Sequence, residues 1–419
     1  MSHVHPGKAP ASSAPPPAIG RLEAWVLRWP AATPVHTSFG TMQDRPAVLV
    51  RVEDAEGAHG WGEAWCNFPA CGAEHRARLI ETVLAPLVVG RAFASPAAAY
   101  AEMTRKTAVL ALQSGEPGPI AQAIAGVDIA MHDLAARRAG LPLWRHLGGS
   151  GPQNTTASTV ASASEGHGVP AGAAEPDRSA AARRIRVYAS GINPEQPGAA
   201  VEALRRAGHT AFKLKVGFGE TRDAANLGAV HAAAGAGATL MVDANQAWDL
   251  DSALRMADRL AEFAPAWLEE PLRADRPWPE WLRLAGASAI ALAAGENAIG
   301  DAAFDALIGS RAIAVVQPDL AKWGGVSGVL GVIDRIAAAG LRYCPHYLGA
   351  GIGLLASAHV MAARGTSASW LEVDSNENPL RTLPCPPLAT LRAGFVELGG
   401  APGLGSEPDL AELRALCRA

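Results

Sequence analysis

Ala211-Phe212-Lys213-Leu214-Lys215-Val216 opens a series in which a short apolar run ends on, or just before, an ionisable residue. Met241-Val242-Asp243, Trp267-Leu268-Glu269, Ala294-Gly295-Glu296, Pro318-Asp319, Pro345-His346 and Trp370-Leu371-Glu372 continue it. From Lys215 to Glu372 these seven residues are separated by 28, 26, 27, 23, 27 and 26 positions. One strand, one helix and two loops fill such an interval, so the series reads as successive βα units. The spacing predicts strands at Arg186 to Ala189, Ala211 to Val216, Thr239 to Val242, Trp267 to Glu270, Ile290 to Ala294, Ile313 to Gln317, Leu341 to Cys344 and Trp370 to Val373. Ala-rich helices such as Pro194 to Ala207 and Leu250 to Phe263 lie between them. The expected fold is α/β, a (β/α)8-type barrel whose C-terminal strand ends gather all seven residues around one mouth.

Working outward, the segment upstream has a different texture. Leu22 to Arg28 and Ala47 to Val52 read as strands, the second continuing through Gly57 to Trp65 as a hairpin-like stretch. From Glu74 to about Ala139 the apolar period lengthens to that of helices, notably over Ile120 to Ala136 around Asp128 and Asp133. Strands followed by helices suggest a separate α+β domain over 18–149, closed by Gly140-Leu141-Pro142 and Leu147-Gly148-Gly149. Residues 150–184 hold Ser, Ala, Gly, Thr and Pro with almost no large apolar side chains, which predicts a flexible insertion. The barrel is expected over 185–385, with 386–419 packing back on the first domain.

The bulk numbers narrow the function classes. A net charge of −4 with both signs mixed provides no footprint for nucleic acid. Five cysteines, odd in number and without a CxxC pair, read as reduced thiols. No apolar run is long enough to span a bilayer, and 1–17, rich in Pro, Ser and Ala, reads as a disordered tail without the apolar core of a signal peptide. The cytoplasm is the expected location, with a small-molecule carboxylate as partner and a homo-oligomer as the expected assembly.

Asp243, Glu269 and Glu296 come from three consecutive predicted strands. Three carboxylates held together repel unless a cation lies between them, and an all-oxygen set with room for water suits Mg²⁺. Glu270 competes with Glu269, but side-chain alternation implies that only one of the two faces the mouth. Lysine is scarce, five of 36 basic residues, yet Lys213 and Lys215 share one strand face, where each ammonium is expected to depress the other's pKa. Arginine stays protonated, so lysines kept here point to proton transfer. Asp319 and His346 end neighbouring predicted strands, an arrangement in which the carboxylate orients the imidazole.

Together these residues resemble the enolase superfamily and, more narrowly, its mandelate racemase-like group. The resemblance covers nearly the whole chain: Lys213-x-Lys215, the acids Asp243, Glu269 and Glu296, Pro318-Asp319 through Lys322-x-Gly324-Gly325, Pro345-His346 and Trp370-Leu371-Glu372. The first domain looks like that family's capping domain at Gly60-Trp61-Gly62-Glu63 and over 125–149. The resemblance implies one Mg²⁺ per site on Asp243, Glu269 and Glu296, bound to the substrate carboxylate, with loss of the α-proton to a metal-stabilised enediolate. Lys215 corresponds to the base on one face, assisted by Lys213, and His346 with Asp319 to the acid or base on the other. Glu372 becomes a hydrogen-bonding electrophile, protonated by the nearness of other acids, and Asn245 contacts the α-hydroxyl. With Asp319 and His346 both present, Lys322 is assigned a supporting role.

Two bases around an enediolate permit dehydration or racemisation. Dehydration of an acid sugar to a 2-keto-3-deoxy acid is the first expectation, and a racemase or epimerase of a 2-hydroxy acid the second. Asn245, Asn376 and Asn378 offer polar groups at the mouth. Loops over 34–45 and 65–74 of the capping domain, carrying His36, Thr37, Arg45 and Asn67, and the adjoining His75, are expected to choose the substrate, with His36 and Arg45 binding it.

Overall fold

The computed structural model describes residues 16–37, 40–148 and 184–417. The predicted tail therefore falls almost wholly, and the predicted insertion up to residue 183, outside the described residues. The first domain is a three-stranded antiparallel sheet, β1 (Ile19–Thr37), β2 (Gly40–Asp54) and β3 (His59–Ala64), with helices laid against it. Strict alternation gives β2 two apolar faces. Val48, Val50 and Val52 pack under the helix Pro117–Arg138, while Ala47 and Leu49 join the core shared with the barrel.

That helix comes unusually close to β3, and glycine is the reason. A Cβ at Gly60 would lie 2.2 Å from the Leu134 nitrogen, and one at Gly62 2.1 Å from the Gly126 oxygen. The two acids in its apolar pattern anchor its middle and C-terminal half. Asp128 accepts from the Ser327 backbone N–H at 2.9 Å, beside the start of the barrel helix Gly325–Ala338. Asp133 accepts from Trp61 N at 2.7 Å and Leu404 N at 2.6 Å.

All eight predicted barrel strands are present as one parallel sheet: β4 (Arg184–Ile192), β5 (Ala211–Lys215), β6 (Thr239–Asp243), β7 (Leu268–Glu269), β8 (Leu292–Ala294), β9 (Val315–Val316), β10 (Arg342–Tyr343) and β11 (Leu371–Asp374). Their order is sequential from β10 down to β4, and β11 pairs the free side of β4. The C-terminal segment serves both domains. β12 (Phe395–Glu397) pairs antiparallel with the start of β4, and beyond it Glu407 accepts from Trp61 Nε1 at 2.9 Å and Arg137 Nη1 at 2.8 Å.

Within 34–45, expected as a loop, residues 34–37 and 40–45 belong to β1 and β2 instead, with Val35, His36 and Thr37 opposite Met42, Thr41 and Gly40. A register shift between Pro30 and Val35 absorbs the Pro-containing stretch that looks like a strand break in the sequence.

His359, on the helix Gly351–Arg364, joins three segments. Its Nδ1 accepts from Trp144 N at 3.2 Å and its Nε2 faces the Leu404 carbonyl at 3.3 Å. Burial drives its pKa down to about 4, and protonation of Nδ1 would break the first bond. A pKa below the unfolded value means the unfolded chain binds the extra proton, so this contribution falls as pH drops from about 6.5 to 4. The loss reaches about 3 kcal/mol at pH 4. In urea titrations, His359→Gln is expected to flatten the wild-type decline over that window; an unchanged slope would contradict the assignment.

Candidate active site

Tyr188, Ala211, Met241, Trp267, Ala293, Val315 and Cys344 pack together as a buried layer inside the barrel. Alternation puts the residue two positions further along each strand on the same inner side, one layer nearer the mouth. Those residues are Ser190, Lys213, Asp243, Glu269, Gln317 and His346, and Trp370 precedes Glu372 in the same way. Lys215 and Asp319 stand one step higher. Glu296 breaks the count, because Gly295 at φ 140° inserts an extra residue; a Cβ there would lie 2.8 Å from the Gln317 nitrogen.

The structure draws these groups into one network. The Lys213 ammonium lies 2.6 Å from Glu269 Oε1, 2.8 Å from Glu372 Oε1 and 3.6 Å from Asp243 Oδ2. Lys215 donates to Asp243 Oδ2 at 2.6 Å. His346 meets Asp319 through Nδ1 at 2.7 Å and Glu296 through Nε2 at 2.9 Å. Asp319 is itself held by the backbone N–H groups of Ala321 and Lys322 at 2.9 and 3.1 Å. Lys322 donates to Asn297 Oδ1 at 2.9 Å and Glu296 Oε1 at 3.3 Å. Arg45 reaches the barrel but pairs with Asp374 at 2.6 Å, 1% exposed. His36 lies on β1 opposite Thr41; its side chain is outside the described residues.

Burial opposes charge on Lys213, Lys215, Glu372 and His346, and the neighbours decide the outcome. Burial lowers Lys213, but Glu269 and Glu372 outweigh it and hold the ammonium well above its usual pKa. Lys215 is likewise raised: burial and Lys213 lower it, but Asp243 and Glu269 together prevail. The expected mutual depression of the two lysines is therefore overridden by the acids between which they sit. Glu372 is also unlike its expectation: burial raises it, yet Lys213 and His346 pull its pKa below the ordinary value and favour the ionised form. His346 is raised well above normal, burial notwithstanding, by Glu296 and Glu372.

Glu270 differs too. At φ 39° it has left the strand, so alternation no longer turns it away. Its carboxylate accepts from Asn297 Nδ2 at 2.9 and 3.0 Å, 2% exposed, among the other acids. Six carboxylates (Asp243, Glu269, Glu270, Glu296, Asp319 and Glu372) thus face three lysines and one histidine. The excess negative charge registers at two of them: burial and Asp243 push Glu269 up to about 7, and burial and Glu296 push Glu270 up to about 8. Asp243, Glu269 and Glu296 each turn toward a different cation, so among the described residues no three such groups close on one point. Their chemistry, oxygen donors carrying surplus charge on adjacent strands, nevertheless fits a hard divalent ion.

Residues 196–413 match the family described as enolase C-terminal domain-like, and 22–148 match the mandelate racemase / muconate lactonizing enzyme N-terminal domain. The chain belongs to the mandelate racemase-like group of the enolase superfamily. A solved mandelate racemase/muconate lactonizing enzyme from Bordetella bronchiseptica RB50 is 56% identical, covering 96% of this chain and 99% of that one with a TM-score of 0.84. A racemase from Streptomyces coelicolor A3(2), solved with bound magnesium, is 25% identical over 95% of this chain and 99% of its own, TM-score 0.77. Among curated relatives, D-galactarolactone cycloisomerase of Agrobacterium fabrum is 28% identical over 90% of this chain and 92% of its own. Arabinonate dehydratase of Saccharolobus solfataricus is 26% identical over 85% and 87%.

This enolase-superfamily member also uses residues that sequence reading passes over. Gln317 donates to Glu269 Oε2 at 2.6 Å, Trp267 Nε1 donates to the same oxygen at 3.2 Å, and Ser190 Oγ donates to Glu372. Gln317 and Ser190 share the inner parity of Asp319 and Tyr188, the one signal that could have found them. Among the described residues no helix is long and apolar enough to cross a membrane.

Proposed function

We propose that this chain binds Mg²⁺ through Asp243, Glu269 and Glu296 and removes the proton α to a substrate carboxylate, in the dehydration of an acid sugar to a 2-keto-3-deoxy acid. The observation carrying this reading is that Lys215 and His346 reach one cavity from separate walls, β5 and the loop after β10, with Glu296 lining it beside them. The metal would supply charge balance for the enediolate that forms on the carboxylate. Lys215 takes the α-proton as a neutral amine; Asp243 holds its pKa above the ordinary value, and a divalent cation on Asp243 would relieve that pull. His346, fixed by Asp319 at 2.7 Å, donates a proton to the β-hydroxyl as its C–O bond breaks, releasing water and an enol that tautomerises to the keto acid. Glu372, tied to Lys213 and Ser190, would orient the carboxylate end.

The same pair of bases supports a second reading, racemisation or epimerisation, in which His346 returns a proton to the opposite face of the α-carbon. The two are separated by incubating Mg²⁺-loaded protein with a panel of aldonic and aldaric acids in D2O. Dehydration is expected to yield a 2-keto acid, detected as its semicarbazone. Deuterium entering the α-carbon of unreacted acid without elimination selects the second reading, and neither signal with any acid rejects both.

A further inference from the structure

A second cavity, of about 200 Å³, opens at the opposite end of the barrel, where the strands begin. Arg184 and Arg186, the first and third residues of β4, line it, and strand alternation sets both on one face. Their guanidinium groups are stacked rather than paired. Arg184 lies 4.3 Å and Arg186 5.6 Å from the Phe395 ring centroid on β12, and Arg186 lies 4.8 Å from that of Trp370. Stacking uses the flat face of a guanidinium and leaves its in-plane N–H donors available. Among the described residues one of those donors is engaged, Arg186 Nη1 on the Ser367 carbonyl at 3.2 Å, and neither arginine has a carboxylate partner. Even Glu397, opposite Arg184 in the β12 register, makes no ion pair with it. Elsewhere Arg28, Arg45 and Arg138 each meet an acid, Asp44, Asp374 and Asp54. The facing wall is the turn over 366–369 that leads into β11. Ser369 Oγ accepts from Thr366 N at 3.0 Å and Thr366 Oγ1 from Ala368 N at 3.2 Å, which fixes the turn and leaves both hydroxyl hydrogens to donate. The helix Gly351–Arg364 also ends here, and its last carbonyls set about half a negative charge against the two arginines. A surplus of positive charge remains.

We propose that this floor of the barrel is a binding site for a small phosphate monoester, its phosphate held by Arg184, Arg186 and the hydroxyls of Thr366, Ser367 and Ser369. Charge and shape favour phosphate over a carboxylate. A phosphate monoester carries about −1.5 to −2 charges near neutral pH and three acceptor oxygens, which answers two guanidinium forks and the hydroxyls together. A carboxylate brings one charge and two oxygens in one plane, and one arginine would stay unanswered. At about 30 Å³ for each water-sized group, a phosphate fills only part of the cavity. The rest of the lining includes Ile185 and Met361, both buried, and suits a short organic group. The site is distinct from the mouth. β4 begins at Arg184 and carries Ser190, the donor to Glu372, six residues further on, about 20 Å along an extended strand. A ligand joining Arg184 and Arg186 to the turn over 366–369 would tie the start of β4 to that of its neighbour β11, whatever reaction the mouth performs.

Titration calorimetry of the full chain with glycerol 3-phosphate and with inorganic phosphate, at neutral pH and low salt without divalent metal, tests the site. Glycerol 3-phosphate is expected to bind with a Kd below about 1 mM and to raise the thermal midpoint, and inorganic phosphate to bind several-fold more weakly. Arg184→Gln should weaken glycerol 3-phosphate at least about tenfold and abolish its thermal shift. Because Arg184 is exposed, the midpoint of that variant without ligand should match the wild type. Arg186→Lys keeps the charge but loses the fork, and should show most of the same loss in affinity. Lys215→Ala should bind as the wild type does, which separates the floor from the mouth. Binding to Arg184→Gln as tight as to the wild type, loss of binding in Lys215→Ala, or no heat with glycerol 3-phosphate overturns the site. Inorganic phosphate binding as tightly as glycerol 3-phosphate overturns the monoester as its ligand.

Discussion

Lys215→Ala is expected to abolish both α-proton removal and 2-keto acid formation, while His346→Asn is expected to lose 2-keto acid formation and let exchange of the α-proton continue. General acid–base groups of this kind contribute about 10² to 10⁴ in rate, so each loss should reach at least about 100-fold in its own step. The geometry makes the two losses separable. Lys215 hangs from β5 against Asp243, His346 follows β10 against Asp319, and no hydrogen bond links them directly. Asp319→Asn should follow His346→Asn, because without the 2.7 Å contact to Nδ1 the ring loses its orientation. The readout is 2-keto acid formation beside solvent deuterium incorporation at the α-carbon of unreacted substrate. Loss of that incorporation in His346→Asn, or its survival in Lys215→Ala, would overturn the division of labour.

Removing divalent metal with a chelator is expected to suppress exchange and product formation by at least about 10³, with recovery on adding Mg²⁺. Stability should move far less. The Lys213 ammonium bridges Glu269 and Glu372, and Lys215 covers Asp243, so the acids keep partners in the folded chain when no cation is added. Saturating Mg²⁺ at about 100 times its dissociation constant would add about 2.7 kcal/mol, a shift of a few degrees in thermal midpoint. Activity that resists chelation, or a chain that unfolds outright on chelation, would each contradict this picture. Among substitutions, Glu296→Gln is expected to reproduce the activity loss: Glu296 meets His346 and Lys322, and those groups hold its pKa well below normal against burial.

The barrel and its ring of acids are legible in the sequence because strand alternation is local. Once Ala211, Met241 or Trp267 is assigned inward, the residue two places on must follow, and chain spacing alone delivers the mouth. Where that local rule fails, the sequence is silent. Glu270 joins the acids because its φ of 39° ends the alternation one residue earlier than the apolar run suggests. The capping residues fail for another reason. Arg45 looks available for a substrate until Asp374, 329 positions away, is seen to claim it. Polar residues near a mouth advertise binding in the sequence, yet their partners are decided by tertiary contacts that carry no local signal. The direction of the lysine and Glu372 pKa shifts is a collective property of six acids and four bases, and pairwise reasoning from neighbours in sequence misses its sign.

Glu63 of β3 reaches out of its own domain entirely. Its carboxylate accepts from the Tyr347 hydroxyl and Ala350 N at 2.6 Å and from Gly353 N at 2.9 Å, at the start of the helix Gly351–Arg364 and one residue after His346. The cap is therefore not an interchangeable module. Transplanting a foreign cap that lacks an acid at this position would strip a barrel helix of its N-terminal acceptor and loosen the segment carrying His346. Swaps intended only to change substrate preference would disturb proton transfer as well. Changes of preference are better sought by substitution in the cavity lining, where Trp65 and Phe68 lie, than by exchange of whole domains.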